Sequence, residues 1–148
     1  MVIKTMFDPP VKQEIIERIQ RLTSTTPAKW GKMNVAQMLT HTQRQIQYTF
    51  GEHQIKGNFL LRMVGPLFKG ILYNDKPYKQ GLPTDPTYVV VDERDFDTEK
   101  KNLLALIDRF SETAVSDAPH PIFGKITREQ WGKAIWKHLD HHLRQFGV

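Results

Sequence analysis

The sequence predicts an all-α protein, a four-helix bundle with a long, partly helical crossover between its second and third long helices. Three observations carry this. Apolar residues recur at three- and four-residue intervals in four separate stretches, the period of a helix with one buried face. Two of those stretches open with complete capping boxes. The one β-branched run, Tyr88 to Val91, has no second strand to pair with, and an isolated strand is not stable. At 148 residues the chain makes one domain, 1–148, long enough to bury a core.

The first long helix is expected over 9–23. Asp8 serves as N-cap and Pro9 takes the first helical position, where a missing N–H costs nothing, and Ile15, Ile16, Ile19 and Leu22 form the apolar stripe. The second helix spans 34–50. Asn34 and Gln37 make its capping box, Met33 and Met38 a hydrophobic staple, and Val35, Met38, Leu39, Ile46 and Phe50 its apolar arc. His41 lies at the edge of that arc, a position suited to lining a groove between helices.

Residues 58–72 are apolar nearly all round and broken by Gly65-Pro66, which predicts a short bent helix buried against the bundle, a partner subunit, or both. Asn74 to Thr87 is an irregular crossover, and Tyr88 to Val91 an extended segment lying along the bundle. The third long helix is expected over 96–114, with acidic residues in its first turn and Leu103, Ile107, Phe110 and Ala114 facing the core. The fourth covers 127–146. Thr127 with Gln130 repeats the capping box, and Ile126 with Trp131 the staple.

Composition narrows the chemistry. No cysteine is present, so disulfides, thiolate metal sites and a cysteine nucleophile are ruled out, and any metal must be held by His, Asp or Glu. The first residues lack the apolar core of a signal peptide, and the longest apolar stretch is interrupted by charges, glycines and a proline, so the expectation is a cytoplasmic protein that does not cross a membrane. The net charge of +5 is spread along the chain without a basic run or an aromatic platform, which argues against nucleic acid.

The last long helix carries the chemistry. His138 and His142, four residues apart, project from one face a turn apart and can chelate one ion. They share a narrow band with Trp131, Ile135 and Gln145, while Asp140 points the opposite way. A third ligand must come from elsewhere. His120 precedes the helix, at the wrong end. His53 lies past the end of the second helix and is expected to be exposed. If the second and fourth helices pack antiparallel, His41 comes beside the pair. A histidine at a helix edge also fits a hydrogen-bonded, half-buried residue with no ligand. Gln45, Tyr48, His141 and Gln145 are candidates to hydrogen-bond around the ligands, or are ordinary polar contacts between helices. Trp30, Trp131 and Trp136 either wall a pocket or fill the core.

Three segments, Trp30-Gly-Lys-Met with Gln37-Met-Leu-Thr-His41, His120-Pro-Ile-Phe-Gly with Trp131, and His138-Leu-Asp-His-His-Leu-Arg-Gln-Phe-Gly147, resemble a branch of the DinB/YfiT-like superfamily catalogued as a domain of unknown function. The likeness covers nearly the whole chain. It implies a four-helix bundle, often dimeric, with a three-histidine metal site that carries over to His41, His138 and His142. Members of the superfamily include metal-dependent hydrolases and thiol S-transferases.

Three neutral imidazoles leave a divalent ion an open position, as catalytic sites do, and zinc, nickel, iron and copper all suit such ligands. Leu139 stands where zincins of the His-Glu-x-x-His type carry their general base, so this is not one of them. The sequence therefore predicts a metal-dependent hydrolase or thiol transferase acting on a small molecule. The alternative is a non-enzymatic metal or small-ligand binding protein. A homodimer is expected, formed through the apolar crossover or through an outer face bearing Trp136, Leu139 and Leu143.

Overall fold

The computed structural model describes residues 1–148. It contains five α-helices and no strands: α1 (Pro9–Gln20), α2 (Val35–Thr49), α3 (Phe59–Phe68), α4 (Phe96–Arg109) and α5 (Arg128–Gln145). Single 3-10 turns at Lys69–Leu72 and Pro86–Tyr88 punctuate the segment between α2 and α4. No helix is long and apolar enough to cross a membrane.

Both capping boxes form: Asn34 and Thr127 each accept a backbone N–H from the glutamine three residues on, whose side chain bonds back. Asp8 occupies the N-cap of α1 without a side-chain bond, and Pro9 opens the helix. Helices α1, α2, α4 and α5 share one apolar core of 22 residues, which includes Ile15, Ile19, Met38, Leu39, Ile46, Leu103, Ile107, Trp131 and Ile135.

Two helices stop earlier than their pattern suggests. The α1 ladder tightens at Leu22, whose N–H reaches Ile19, and the Thr26 hydroxyl then captures the backbone N–H of Thr23. Phe110 leaves the α4 spiral for an extended conformation with ψ 112°, which drives its ring fully into the core and turns its carbonyl to Lys12. Ala114 is consequently outside the helix, and Val115 supplies the buried side chain.

Helix α5 is buried nearly all round. Asp140 does lie opposite the histidine band, but in an ion pair with Arg18 of α1 at 2.8 Å, with Arg144 on its other oxygen. The proposed outer face is interior: Trp136, Leu139 and Leu143 all belong to the core, because α1 and the N-terminal segment cover that side. Trp131 fills the core likewise, whereas Trp30 is half-buried on the loop before α2.

The apolar crossover is the surprise. Helix α3 touches the body through Gly65, where any Cβ would overlap the carbonyl of Ile122. Its large side chains, Phe59, Leu60, Met63, Leu67 and Phe68 among them, stand exposed and are not packed inward. The crossover is secured instead by the buried Lys137 of α5, whose ammonium donates to the Ile71 carbonyl and to Asn74 Oδ1. The extended segment expected from Tyr88 begins one residue later: Tyr88 closes the 3-10 turn, Val89 is extended, and burial then alternates, with Tyr88 and Val90 buried and Val89 and Val91 outward.

Candidate metal centre

Helix α2 runs beside α5 so that His41, near the middle of α2, meets His138 and His142 on α5. The capping boxes and the shared core set this register, since they fix where each helix starts and which face it buries. All three imidazoles are buried. His41 Nε2 lies 3.0 Å from His138 Nε2, and one ligand nitrogen from each ring falls within 4.8 Å of the others.

The outward nitrogens of two rings are anchored. His41 Nδ1 is 2.9 Å from the Tyr88 carbonyl, and a carbonyl only accepts, so Nδ1 carries the proton and Nε2 the lone pair. His142 Nδ1 is 2.7 Å from Gln145 Oε1. The orientation of that amide is settled by its other end, because Gln145 Nε2 donates to the Trp30 carbonyl at 2.8 Å. His142 therefore also donates from Nδ1 and presents a bare Nε2. Fixing the tautomer through the remote nitrogen is how proteins aim imidazole ligands.

The electrostatics agree. Burial lowers the His41 pKa, partly offset by its bond to Tyr88. Burial holds His138 well below its usual value, reinforced by His142, His41 and His141. His142 is pushed down to about 3, first by burial and then by His41. All three rings are thus neutral at pH 7, the protonation state a metal ligand needs.

An ion with bonds of about 2.0–2.1 Å places two nitrogens roughly 2.9–3.4 Å apart for angles between square and tetrahedral. The His41–His138 pair already has that span, and the widest separation in the set would close by about 1.4–1.9 Å. One turn beyond His41 on α2, the buried Gln45 leaves its Oε1 without a protein partner. The donor set, its aimed lone pairs and this free acceptor fit a divalent ion with an open position.

The other candidates fall elsewhere. Tyr48 does not reach the cluster: seven residues from His41 is about 10.5 Å along the helix, and its ring packs on His120 and Trp131. His141 lies between Trp30 and Tyr78 with its ring 5.0 Å from that of His142, and it makes no hydrogen bond to the ligands. His120 organises the loop before α5. Its Nδ1 accepts from Ile122 and Phe123, and its backbone pairs with Gly124. His53 is half-buried and bonded to Thr87.

Two contributors are not visible as motifs. The Tyr88 carbonyl is a backbone atom, and any residue type would supply it. Gly31 has φ +82° and approaches so closely that a Cβ there would lie 2.6 Å from Gln145 Nε2. A glycine just before a capping box is the only trace of that role.

Beside His41 a groove of about 310 Å³ opens to solvent, walled by Lys32, Met33, Thr84 and residues 89–91. His41 is the one member of the cluster that lines it.

Fold and site together define an all-α protein with a buried cluster of three neutral histidines suited to a metal ion. The chain belongs to the family described as a protein of unknown function, DUF1569, whose model matches residues 7–147. No curated protein and no solved structure matches it.

Proposed function

We propose that His41, His138 and His142 bind one divalent metal ion, zinc, nickel or iron, in a DinB-like four-helix bundle, and that the groove beside His41 admits a small-molecule substrate. The observation that carries this reading is the pair of anchored tautomers: Tyr88 and Gln145 each hold an Nδ1 proton, so two Nε2 lone pairs face the ring of His138. Bare lone pairs turned toward one another in a buried site are repulsive unless a cation or a proton lies between them.

When bound, such an ion supplies Lewis acidity and a water or thiolate ligand of lowered pKa. The reaction class that suits it is hydrolysis or thiol S-transfer. The protein's own part is to aim the three nitrogens and to exclude bulk water from them, with Gln45 Oε1 left as a free acceptor one turn along α2 from His41. One observation favours a non-enzymatic metal or ligand carrier as the second reading: the groove wall contains no carboxylate to act as a base, and Tyr48 is held away by His120 and Trp131. Metal analysis of protein purified without a nickel affinity step, then hydrolysis and thiol-conjugation screens, tests the pair. Stoichiometric metal with turnover supports the enzyme, metal without turnover the metal carrier, and no metal at all overturns the metal site and leaves only a metal-free ligand carrier.

The reading includes a homodimer through α3. Phe59, Leu60, Met63 and Leu67 fall within about 100° of the helix, Leu61 and Phe68 extend the arc to about 200°, and Gly65 faces the body. At ~200 Å² for a fully exposed large side chain, their exposed fractions amount to roughly 800 Å², the share per partner of an ordinary stable interface.

A further inference from the structure

We propose that the groove beside His41 is a selective site for a small organic anion, an aliphatic monocarboxylate with its alkyl body on Met33 and Val89 to Val91 and its carboxylate toward Lys32 and His41. The inference deepens the metal-site reading and rests on it only for what completes the deep end of the groove.

The charge pattern carries the argument. Lys32 is the one charged side chain in the wall, and it is exposed. Gln37, the other long polar side chain there, is already occupied, by its capping box and by the Asp92 carbonyl. The nearby acids are turned to other partners. Asp85 accepts from the backbone and hydroxyl of Thr87, and Asp140 is paired with Arg18 and Arg144 on the far side of α5. No carboxylate balances the cluster either, so an ion held by three neutral imidazoles keeps its full double charge. Within the wall itself a cationic ligand meets only the like charge of Lys32, the flanking carboxylates Asp85 and Asp92 being turned to Thr87 and to Arg94, and a neutral ligand gains nothing from Lys32.

Shape sets the rest. Val89 and Val91 are 56% and 83% exposed, a β-branched apolar strip left open to solvent along the groove. The volume of about 310 Å³ is at the small end of ligand sites, which suits a short alkyl chain.

The test is a methyl NMR titration of the full chain, first metal-free and then with zinc, using hexanoate, hexanol and hexylamine as matched probes. Hexanoate should shift the Met33 and Val89 to Val91 methyls saturably, and hexylamine should not. Lys32→Gln should weaken hexanoate roughly 2- to 5-fold, the scale of an exposed charge pair, and leave hexanol unchanged. Val91→Asp, on a side chain too exposed to matter for folding, should abolish hexanoate binding. Equal responses to all three probes, or a Lys32→Gln variant that binds hexanoate as well as the parent, would overturn the proposal. Hexanoate binding in a protein that takes up no zinc keeps the groove assignment and rejects the metal reading. Zinc uptake with unmoved methyls at every hexanoate concentration does the reverse.

Discussion

Replacing Gly31 by alanine separates the aiming of His142 from the stability of the fold. The new Cβ would sit 2.6 Å from Gln145 Nε2, inside contact distance, so the amide must withdraw from the Trp30 carbonyl and release Nδ1 of His142. Losing such an outer partner costs a metal site about 10- to 100-fold in affinity. The backbone cost comes from φ +82°, about 1–2 kcal/mol for a residue with a Cβ, or roughly 2–8 °C in melting temperature for a chain of this size. Gly51 provides the control, because its φ is +77° and nothing lies within 4 Å of its Cβ position. Gly51→Ala should lose similar stability and keep its affinity. Zinc competition against a chromophoric chelator, with thermal melts of both variants, reads the two effects apart. Equal zinc affinity in Gly31→Ala and Gly51→Ala would refute the claim that Gly31 and Gln145 aim the ligand.

His142→Ala should cost zinc affinity far more than His53→Ala, because it opens the three-ligand set; His120→Ala should leave affinity alone but destabilise by about 1–3 kcal/mol, since two loop N–H groups lose their acceptor, as denaturant melts would show. Asp140→Ala strands the buried Arg18 guanidinium and should cost about 3–5 kcal/mol, a fall of roughly 6–20 °C in melting temperature. Burial lowers the folded pKa of His142 to about 3 and of His120 to about 4, so below the unfolded value near 6.5 the unfolded chain binds the extra protons; stability is level above pH 6.5 and falls by ~1.4 kcal/mol per unit for each histidine, roughly 4 kcal/mol for the two by pH 5. Denaturant midpoints that stayed flat from pH 7 to 5 would contradict this. Leu67→Glu on the open arc of α3 should convert a dimer to a monomer of unchanged helicity in sedimentation, and a monomeric parent at tens of micromolar would dispose of the dimer.

Much of this architecture can be read from side-chain pattern because the deciding physics is local. Capping boxes at Asn34 and Thr127 mark helix starts to within a residue, and the spacing of His138 and His142 puts them on one face before any tertiary contact is known. Helix ends are less legible: Phe110 fits the apolar period of α4 yet leaves the helix, because the core rewards its ring more in an extended backbone. Tyr48 shares a face with His41 but lies two turns away, a distance that periodicity ignores. The exposed arc of α3 reads as core by composition, since hydropathy reports that a face wants covering and not what covers it. The Tyr88 carbonyl that anchors His41 is a backbone atom, which no residue letter encodes, and the room that Gly31 leaves for Gln145 shows in the sequence only as a glycine.

The most direct measurement of the central claim is anomalous diffraction from crystals of the zinc-loaded full chain. One strong peak is expected about 2.0–2.1 Å from Nε2 of His41, His138 and His142, with the Nδ1 contacts to Tyr88 and Gln145 retained. Zinc bound at His53 or His120 instead, or a His41–His138 hydrogen bond persisting at 3.0 Å with no peak between the rings at saturating zinc, would contradict it.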